Sequence, residues 1–233
     1  MKKKGPVIFT REVAERYDSF YATEAGAEVD HLEKGVMDRL LERVVPSDLL
    51  EIGCGTGHWT EYFVSRGFAV TATDPSEPML AEALRRGSAG AFIRASAEKL
   101  PFPDGAFPAA AAVTVFEFVE DPEAAVGEIL RVLRPGGVFI GGFLNAASAQ
   151  AAAVRAARER AAAGLLSTEE EGDVLLHARF RTEGEIRRLL SPIGRLEIRS
   201  CVHLSPSWEV LDGTPRAAGA EPAFFAVLAR KEG

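Results

Sequence analysis

Short apolar runs alternate with helical stretches from Leu49 onwards, and this alternation limits the possible folds more than any other feature. The runs carry few charges, as is typical of strands that are buried on both faces of a sheet. Strands alternating with helices predict a parallel sheet that is covered by helices on both faces. We predict strands at Leu49–Ile52, Ala69–Thr73, Phe92–Ala95, Val138–Phe143, Leu196–Leu204 and Ala223–Ala229, with a long apolar run at Ala109–Phe118. We predict the helices between them at Trp59–Ser65, Glu77–Arg86, Pro122–Leu133, Ala149–Ala163 and Thr182–Leu190, the last opening with a capping box of Thr182 and Glu185.

The length of 233 residues suits one α/β domain, and a chain of this size needs no disulfide or metal to hold its core. We therefore predict a single domain over residues 1–233. Its parts are a helical cap at 1–47, a core at 48–145, a helical insertion at 146–181, and a helix with two strands at 182–233. Apolar residues at spacings of three and four indicate the helices of the cap.

The composition excludes several classes of function. Two cysteines, Cys54 and Cys201, are too few for a four-cysteine zinc site or a disulfide scaffold, and no His/Asp cluster suggests a metal. The net charge of −7 disfavours nucleic-acid partners, which need clustered Lys and Arg. The longest apolar run is interrupted by Glu117, so we expect no membrane span. No apolar run follows Lys2-Lys3-Lys4, so we expect no signal peptide and a cytoplasmic location.

The first predicted strand ends in a glycine-rich loop, which reads Glu51-Ile52-Gly53-Cys54-Gly55-Thr56-Gly57. Glycines at the tip of a first strand let the backbone turn sharply and approach a ligand closely. The dinucleotide fingerprint places its third glycine five residues after the first, whereas Gly57 comes four residues after Gly53. Asp74 ends the second strand at a spacing that suits an acceptor of ribose hydroxyls, both in dinucleotide folds and in the second class of fold that uses such a loop. The choice between these two classes therefore depends on the glycine spacing and on Glu51.

The pattern E-x-G-x-G-x-G resembles motif I of the class I S-adenosylmethionine (SAM)-dependent methyltransferases. The stretch Thr73-Asp74-Pro75-Ser76 with Met79 is similar to their second motif. Two further stretches resemble the small-molecule "type 11" branch, which includes the ubiquinone and menaquinone biosynthesis methyltransferases. They are Ala97-Glu98-Lys99-Leu100-Pro101-Phe102, followed by Phe107, and the block from Glu128 to Gly137. The resemblance is close over residues 45–145, and its four motifs occur in the family's order.

The resemblance implies a Rossmann-like sheet of seven strands in the order 3-2-1-4-5-7-6, with the last strand antiparallel. It also implies SAM as the cofactor, bound across the carboxyl ends of the first two strands, and S-adenosylhomocysteine as the product. The residues that it assigns to the cofactor are Glu51, Gly53, Cys54, Gly55, Gly57, Asp74, Pro75, Met79, Ser96, Ala97, Glu98, Thr114, Phe116 and Tyr17.

The roles expected from these residues follow the parts of the cofactor. Asp74 should accept hydrogen bonds from both ribose hydroxyls, and the Ala97 amide and Glu98 side chain should meet the adenine edge. Ser96 stands where many relatives have Asp, which weakens that contact. Glu51 should orient the glycine loop, reach the cofactor's ammonium through water, or cap loop amides. Thr114 and Phe116 should border the transferred methyl group. Met79 should pack on the adenine or in the core. Tyr17 should contact the cofactor or the acceptor, or pack within the protein.

No catalytic residue can be assigned from the sequence, and the four histidines are interpreted as ordinary polar residues. After the fourth strand the chain reads Phe116-Glu117-Phe118 instead of the motif of enzymes that methylate planar amines, so we expect a small-molecule acceptor. Its pocket should be formed by the cap, the insertion and the Ser205–Pro222 loop, with apolar walls from Phe143, Phe180 and Trp208. The alternatives are a macromolecular acceptor on a basic face of Arg155, Arg158, Arg160 and Arg179, a SAM-binding module without catalysis, and an NAD-dependent oxidoreductase. The acceptor and the oligomeric state are not predicted.

Overall fold

A computed structural model describes residues 9–87, 90–166, 173–204, 210–211 and 221–232. Its strands are β1 (Asp48–Ile52), β2 (Ala69–Asp74), β3 (Gly90–Arg94), β4 (Phe107–Val113), β5 (Leu133–Leu144), β6 (Gly194–His203) and β7 (Pro222–Lys231). Its helices are α1 (Arg11–Tyr17), α2 (Glu24–Leu41), α3 (His58–Ser65), α4 (Glu77–Arg86), α5 (Pro122–Val132), α6 (Ala149–Ala162) and α7 (Glu183–Leu190). Two short 3₁₀ turns occur at Val174–His177 and Ser191–Ile193.

The seven strands form one sheet in the order β3-β2-β1-β4-β5-β7-β6, which confirms the predicted order. Strands β1 to β5 pair in parallel, and β7 runs antiparallel to both β5 and β6. The carboxyl ends of β1, β2 and β4 therefore meet at one edge, where parallel sheets of this kind bind ligands.

The sheet separates two buried apolar clusters. One lies under α2 and α3 and contains Met37, Trp59 and Phe63, and the other lies under α5 and α7 and contains Phe116 and Ile129. Both faces of the central strands are covered, which explains why the strands read as continuous apolar runs. No helix in the described part of the chain is long and apolar enough to cross a membrane.

Two predicted boundaries differ from the structure by five residues, and several others differ by one or two. The run Ala109–Phe118 is strand only as far as Val113, because Thr114 adopts a positive φ of 52° and turns the chain out of the sheet. Strand β5 begins at Leu133 rather than Val138, with a register shift opposite Phe107 and Ala109. The Pro and Gly residues at 135–137 lie in this irregular stretch, since proline lacks the N–H that a regular ladder uses.

Side-chain caps occur at the starts of α4 and α7. Helix α4 spans the predicted Glu77–Arg86, and the Ser76 side chain caps it by accepting from the Met79 amide. Thr182 and Glu185 form the predicted capping box at the start of α7. These caps satisfy amides that would otherwise lack partners at the helix start.

Candidate active site

The glycine loop after β1 turns on three residues with positive φ angles. Gly53, Gly55 and Gly57 have φ values of 69°, 54° and 86°. A side chain at Gly53 would place its Cβ 2.5 Å from Val115 Cγ2, whereas a Cβ at Gly55 would meet nothing within 4 Å. Packing against Val115 therefore excludes a side chain at Gly53, whereas at Gly55 only the positive φ disfavours one.

Asp74 joins the end of β2 to that loop. Its Oδ2 accepts a hydrogen bond from the Gly55 amide at 2.9 Å, and its Oδ1 accepts one from the Ser76 amide at 2.8 Å. Burial raises the pKa of Asp74, while both amide bonds oppose that shift. Each carboxylate oxygen can accept a second bond, so the group can hold the loop and still bind a ligand diol.

Glu51 lies beneath the loop and does not line the adjacent cavity. It is buried, and its Oε2 accepts a hydrogen bond from the Thr60 hydroxyl of α3 at 2.6 Å. Burial raises the pKa of Glu51 to about 8, with a smaller contribution from the charge of Asp74. In the described residues the carboxyl thus connects β1 to α3 and bonds to no loop amide.

A cavity of about 1240 Å³ lies at this edge of the sheet, which we call the cofactor cleft. Eleven of the fourteen predicted residues line it, and the remaining three are Glu51, Gly57 and Phe116. Gly57 is the N-cap of α3. Phe116 is fully buried and packs against Phe143, with ring centroids 5.4 Å apart, so it contributes to the core instead of the cleft wall.

The far end of the cleft is formed by Ser96, Ala97 and Glu98. The Ser96 hydroxyl donates to Glu98 Oε2, and Glu98 Oε1 accepts from the Glu120 amide at 3.1 Å. Glu98 therefore connects two loops at this end of the cleft. Met79 is nearly inaccessible to solvent but lines the cleft, so it packs in the core and also borders the space expected for the adenine.

The N-terminal cap closes the cleft from above. Asp18 accepts a hydrogen bond from the Thr56 hydroxyl in the glycine loop at 2.8 Å and pairs with Arg86 of α4. The Ser76 hydroxyl donates to the Phe9 carbonyl at 2.8 Å. These contacts hold Tyr17 and Tyr21 at the cleft wall, although the sequence predicts only Tyr17 there.

Sequence reasoning missed the contact between His58 and the cap. His58 stacks on Tyr21 with ring centroids 4.0 Å apart, and its Nε2 lies 2.6 Å from Asp30 Oδ1. Lys34 Nζ is 2.7 Å from Asp30 Oδ2 and 3.2 Å from the same histidine nitrogen. The apolar spacing of the cap predicts its helices but not which element they contact, and Tyr21 lies in the turn between α1 and α2.

A second cavity of about 670 Å³ adjoins the cofactor cleft, which we call the inner pocket. The residues that line both are Tyr17, Tyr21, Thr114 and Phe118. Most of its other walls are apolar, from Val29, Leu144, Leu175, Val202, Leu204 and Ala223 among others, and Glu33 contributes a buried carboxyl. Thr114 and Val202 have positive φ angles of 52° and 62°, which is uncommon for β-branched residues and is found more often at functional sites.

The aromatic residues predicted to form the walls of the acceptor pocket do not line the inner pocket in the described part of the chain. Phe143 is fully buried in the core and Phe180 packs against the core from a partly buried position, and neither lines the inner pocket. Trp208 and most of the Ser205–Pro222 loop lie outside the described residues. The insertion contributes Gln150 and the stretch 173–175 to the inner pocket.

The arginines of the supposed basic face have other partners. Arg158 donates to the carbonyls of Leu175, Leu176 and Ala178, and Arg155 donates to the Ala146 carbonyl. Arg179 lines the cofactor cleft. No group of three His, Cys, Asp or Glu side chains that could hold a metal occurs among the residues that the structure describes.

We expect the free energy of unfolding to fall as the pH rises from 5.5 to 8.5. Burial raises the pKa of Glu33 and Glu51 to about 8 and that of Glu117 to about 7, all above 4.5, their ordinary value. At pH values between the ordinary pKa and the raised pKa, the folded state keeps a proton on each carboxyl that the unfolded chain has released. Raising the pH therefore favours unfolding. Urea denaturation at the two pH values measures the difference.

Glu51→Gln should reduce that pH dependence, because glutamine can still accept from Thr60 and does not titrate. The matched control is Glu28→Gln, at an exposed position of α2, which should leave the slope unchanged. A free energy that is constant or increases over this range would contradict the assignment of buried, protonated carboxyls.

Comparison with known proteins agrees with this geometry. Residues 50–141 match a family model described as "Methyltransferase domain". The chain is 36% identical over 122 residues to a malonyl-[acyl-carrier protein] O-methyltransferase of Serratia marcescens, which is 51% of this chain and 48% of that protein. It is 38% identical over 136 residues to a demethylmenaquinone methyltransferase of Thermus thermophilus, which is 55% of this chain and 61% of that protein. The chain thus spans about half to three fifths of the length of these relatives.

The fold has a near full-length counterpart among solved structures. A Thermotoga maritima SAM-dependent methyltransferase, described as a possible histamine N-methyltransferase, matches with a TM-score of 0.71 and 23% identity. The match covers 95% of this chain and 97% of that one. At this identity the match supports the fold, which includes the cap as well as the sheet.

Proposed function

We propose that the protein transfers a methyl group from SAM to a small-molecule acceptor, a proposal supported by the match of residues 50–141 to the methyltransferase domain model. The observation that carries the proposal is the adjacency of two cavities that share four lining residues. The cofactor cleft is built on the glycine loop and Asp74, and the inner pocket meets it at Tyr17, Tyr21, Thr114 and Phe118. A two-substrate transfer needs two adjoining sites of this kind.

The residues of the cleft fit SAM by their chemistry. Gly55 leaves open space where any side chain would stand, so a ligand can approach the backbone closely. Asp74 offers two carboxylate oxygens at the cleft wall, as a ribose diol requires. Ser96, Ala97 and Glu98 offer polar groups at the far end, and Met79 offers an apolar surface.

When bound, SAM supplies an electrophilic methyl group on a sulfonium cation with a good leaving group. The residues of this chain then have to align the acceptor and exclude water, which are the main contributions to such a transfer. Tyr17, Tyr21 and Phe118 stand between the two cavities with large rings that displace water. The hydrogen bonds of Asp18 and Ser76 hold the cap, and hence Tyr17 and Tyr21, at the cleft.

The inner pocket supports a small, largely apolar acceptor. Its volume of about 670 Å³ falls within the usual range for small-molecule sites. The relatives are named for different acceptors, malonyl-[acyl-carrier protein] and demethylmenaquinone, so their names support the reaction class rather than one compound. The internal hydrogen bonds of Arg155 and Arg158 weigh against a basic face for a macromolecular acceptor.

Calorimetric titration of the protein with S-adenosylhomocysteine tests the proposal, with NADH as a parallel control. We expect binding in the micromolar range for S-adenosylhomocysteine and none for NADH. A folded protein that binds only NADH, or neither compound, would overturn the proposal. Binding of S-adenosylhomocysteine then justifies a screen for acceptors by transfer of a labelled methyl group.

A further inference from the structure

The inner pocket contains one carboxyl group that the cofactor does not explain. Glu33 lies on α2, is 8% exposed, and lines the inner pocket but not the cofactor cleft. Within the described residues it has no ion pair or hydrogen bond from its side chain. A carboxyl group that is largely removed from water and has no protein partner can gain one from a ligand that enters the pocket.

Nearby charges do not neutralise Glu33. Lys34, its neighbour on α2, is 2.7 Å from Asp30 and 3.2 Å from His58, so its ammonium is already engaged. Arg16 of α1 is exposed and donates to the Glu12 carbonyl. Asp173, across the pocket, accepts from the Leu175 amide and adds a further negative charge.

The remaining titratable groups that interact with Glu33 are neutral at physiological pH. They are the phenols of Tyr17 and Tyr21 and the thiol of Cys201 on β6, whose pKa values are all raised, chiefly by burial and in part by Glu33 itself. Burial also raises the pKa of Glu33 to about 8, with a contribution from Asp30. Among the described residues, the Glu33 carboxyl accepts no hydrogen bond, so a donor that enters the pocket would meet free acceptor positions.

We propose that Glu33 binds a hydrogen-bond-donating group, a hydroxyl or an amine, on the otherwise apolar body of the methyl acceptor. This inference rests on the proposed function, because it takes the inner pocket as the acceptor site. The apolar walls hold the body of the acceptor, and Glu33 selects for the polar group and sets the orientation of the molecule against the border with the cofactor cleft. Acceptors that lack a donor should bind weakly.

The test uses the full-length protein saturated with S-adenosylhomocysteine and three probes with one apolar body. The probes are 2-naphthol, 2-naphthylmethylamine and 2-methylnaphthalene, which carry a hydroxyl, an amine and no donor. We expect the wild type to bind at least one of the first two about tenfold more tightly than the third, as a hydrogen bond to a carboxyl group implies. Comparing the affinities of 2-naphthol and 2-naphthylmethylamine shows whether a hydroxyl or an amine is the preferred donor.

Two variants separate recognition from packing. Glu33→Leu should abolish the preference and leave binding of 2-methylnaphthalene equal or tighter, and Glu33→Gln should reduce the preference for the amine most. Glu28→Gln, at an exposed position on the same helix, is the control and should bind all probes like the wild type. Thermal melting verifies that each variant is folded.

The outcomes distinguish this inference from the function on which it rests. If S-adenosylhomocysteine binds and the wild type holds the three probes with equal affinity, or binds none of them, the role of Glu33 is overturned and the methyltransferase proposal stands. The role is overturned as well if the preference persists in both Glu33 variants. If S-adenosylhomocysteine itself fails to bind the folded protein, both proposals fall.

Discussion

Replacing Asp74 with alanine will weaken S-adenosylhomocysteine binding at least tenfold, and about 100-fold if both ribose hydroxyls bond to the carboxylate. The side chain has two functions that alanine removes together. It accepts hydrogen bonds from the Gly55 and Ser76 amides, and it lines the cofactor cleft, where it can accept further bonds from a ligand. Isothermal calorimetry of the variant measures the loss.

Two further variants make that result specific. Asp74→Asn keeps one acceptor oxygen for the loop amides and should lose less affinity than alanine. Asp48→Ala removes an exposed carboxylate from the start of β1, at the opposite end of the strand, and should bind like the wild type. Unchanged affinity in a folded Asp74→Ala protein would show that the carboxylate does not hold the ribose.

Gly55→Ala will also weaken S-adenosylhomocysteine binding at least tenfold, while its effect on stability stays small. A Cβ at this position meets no protein atom within 4 Å, so the added methyl group projects into space that only the ligand would fill. The positive φ of 54° costs about 1 kcal/mol for a residue with a side chain. Binding calorimetry and thermal melting of the same variant separate the two effects.

Gly87→Ala provides a closely matched control. Gly87 has a φ of 76° and is the C-cap of α4, and a Cβ added there would also meet nothing within 4 Å. Unlike Gly55, it does not line the cofactor cleft. The two variants should lose similar stability, and only Gly55→Ala should lose cofactor affinity. Equal binding by both variants would indicate that the ligand does not approach the loop at Gly55.

Much of the fold and of the cofactor site could be predicted because local constraints determine them. The order of strands follows from the family motifs, and the apolar runs locate the central strands because both faces of the sheet are buried there. The glycines at 53, 55 and 57 and the carboxylate of Asp74 depend on backbone conformation and on position at a strand end. Both properties are visible in the spacing of residues along the chain.

Other residues were placed by contacts that spacing does not encode. Phe116 follows β4 as expected, but the positive φ of Thr114 turns the chain, and Phe116 packs into the core. Glu51 belongs to the glycine motif, yet it bonds to Thr60 of α3 beneath the loop. In both cases the motif predicts proximity to the site, whereas side-chain direction depends on the packing of neighbouring elements.

The sequence by itself determined the sheet, the glycine loop and the carboxylate at the end of β2, because these depend on residues that are close in the chain or repeat with the period of a strand. Only the tertiary structure decided how the cap covers the site. Asp18 meets Thr56 and Arg86, and Glu33 joins the walls of the inner pocket, through separations of many residues. Such long-range contacts depend on how helices pack against the sheet, and a periodic pattern states which face is buried but not what buries it.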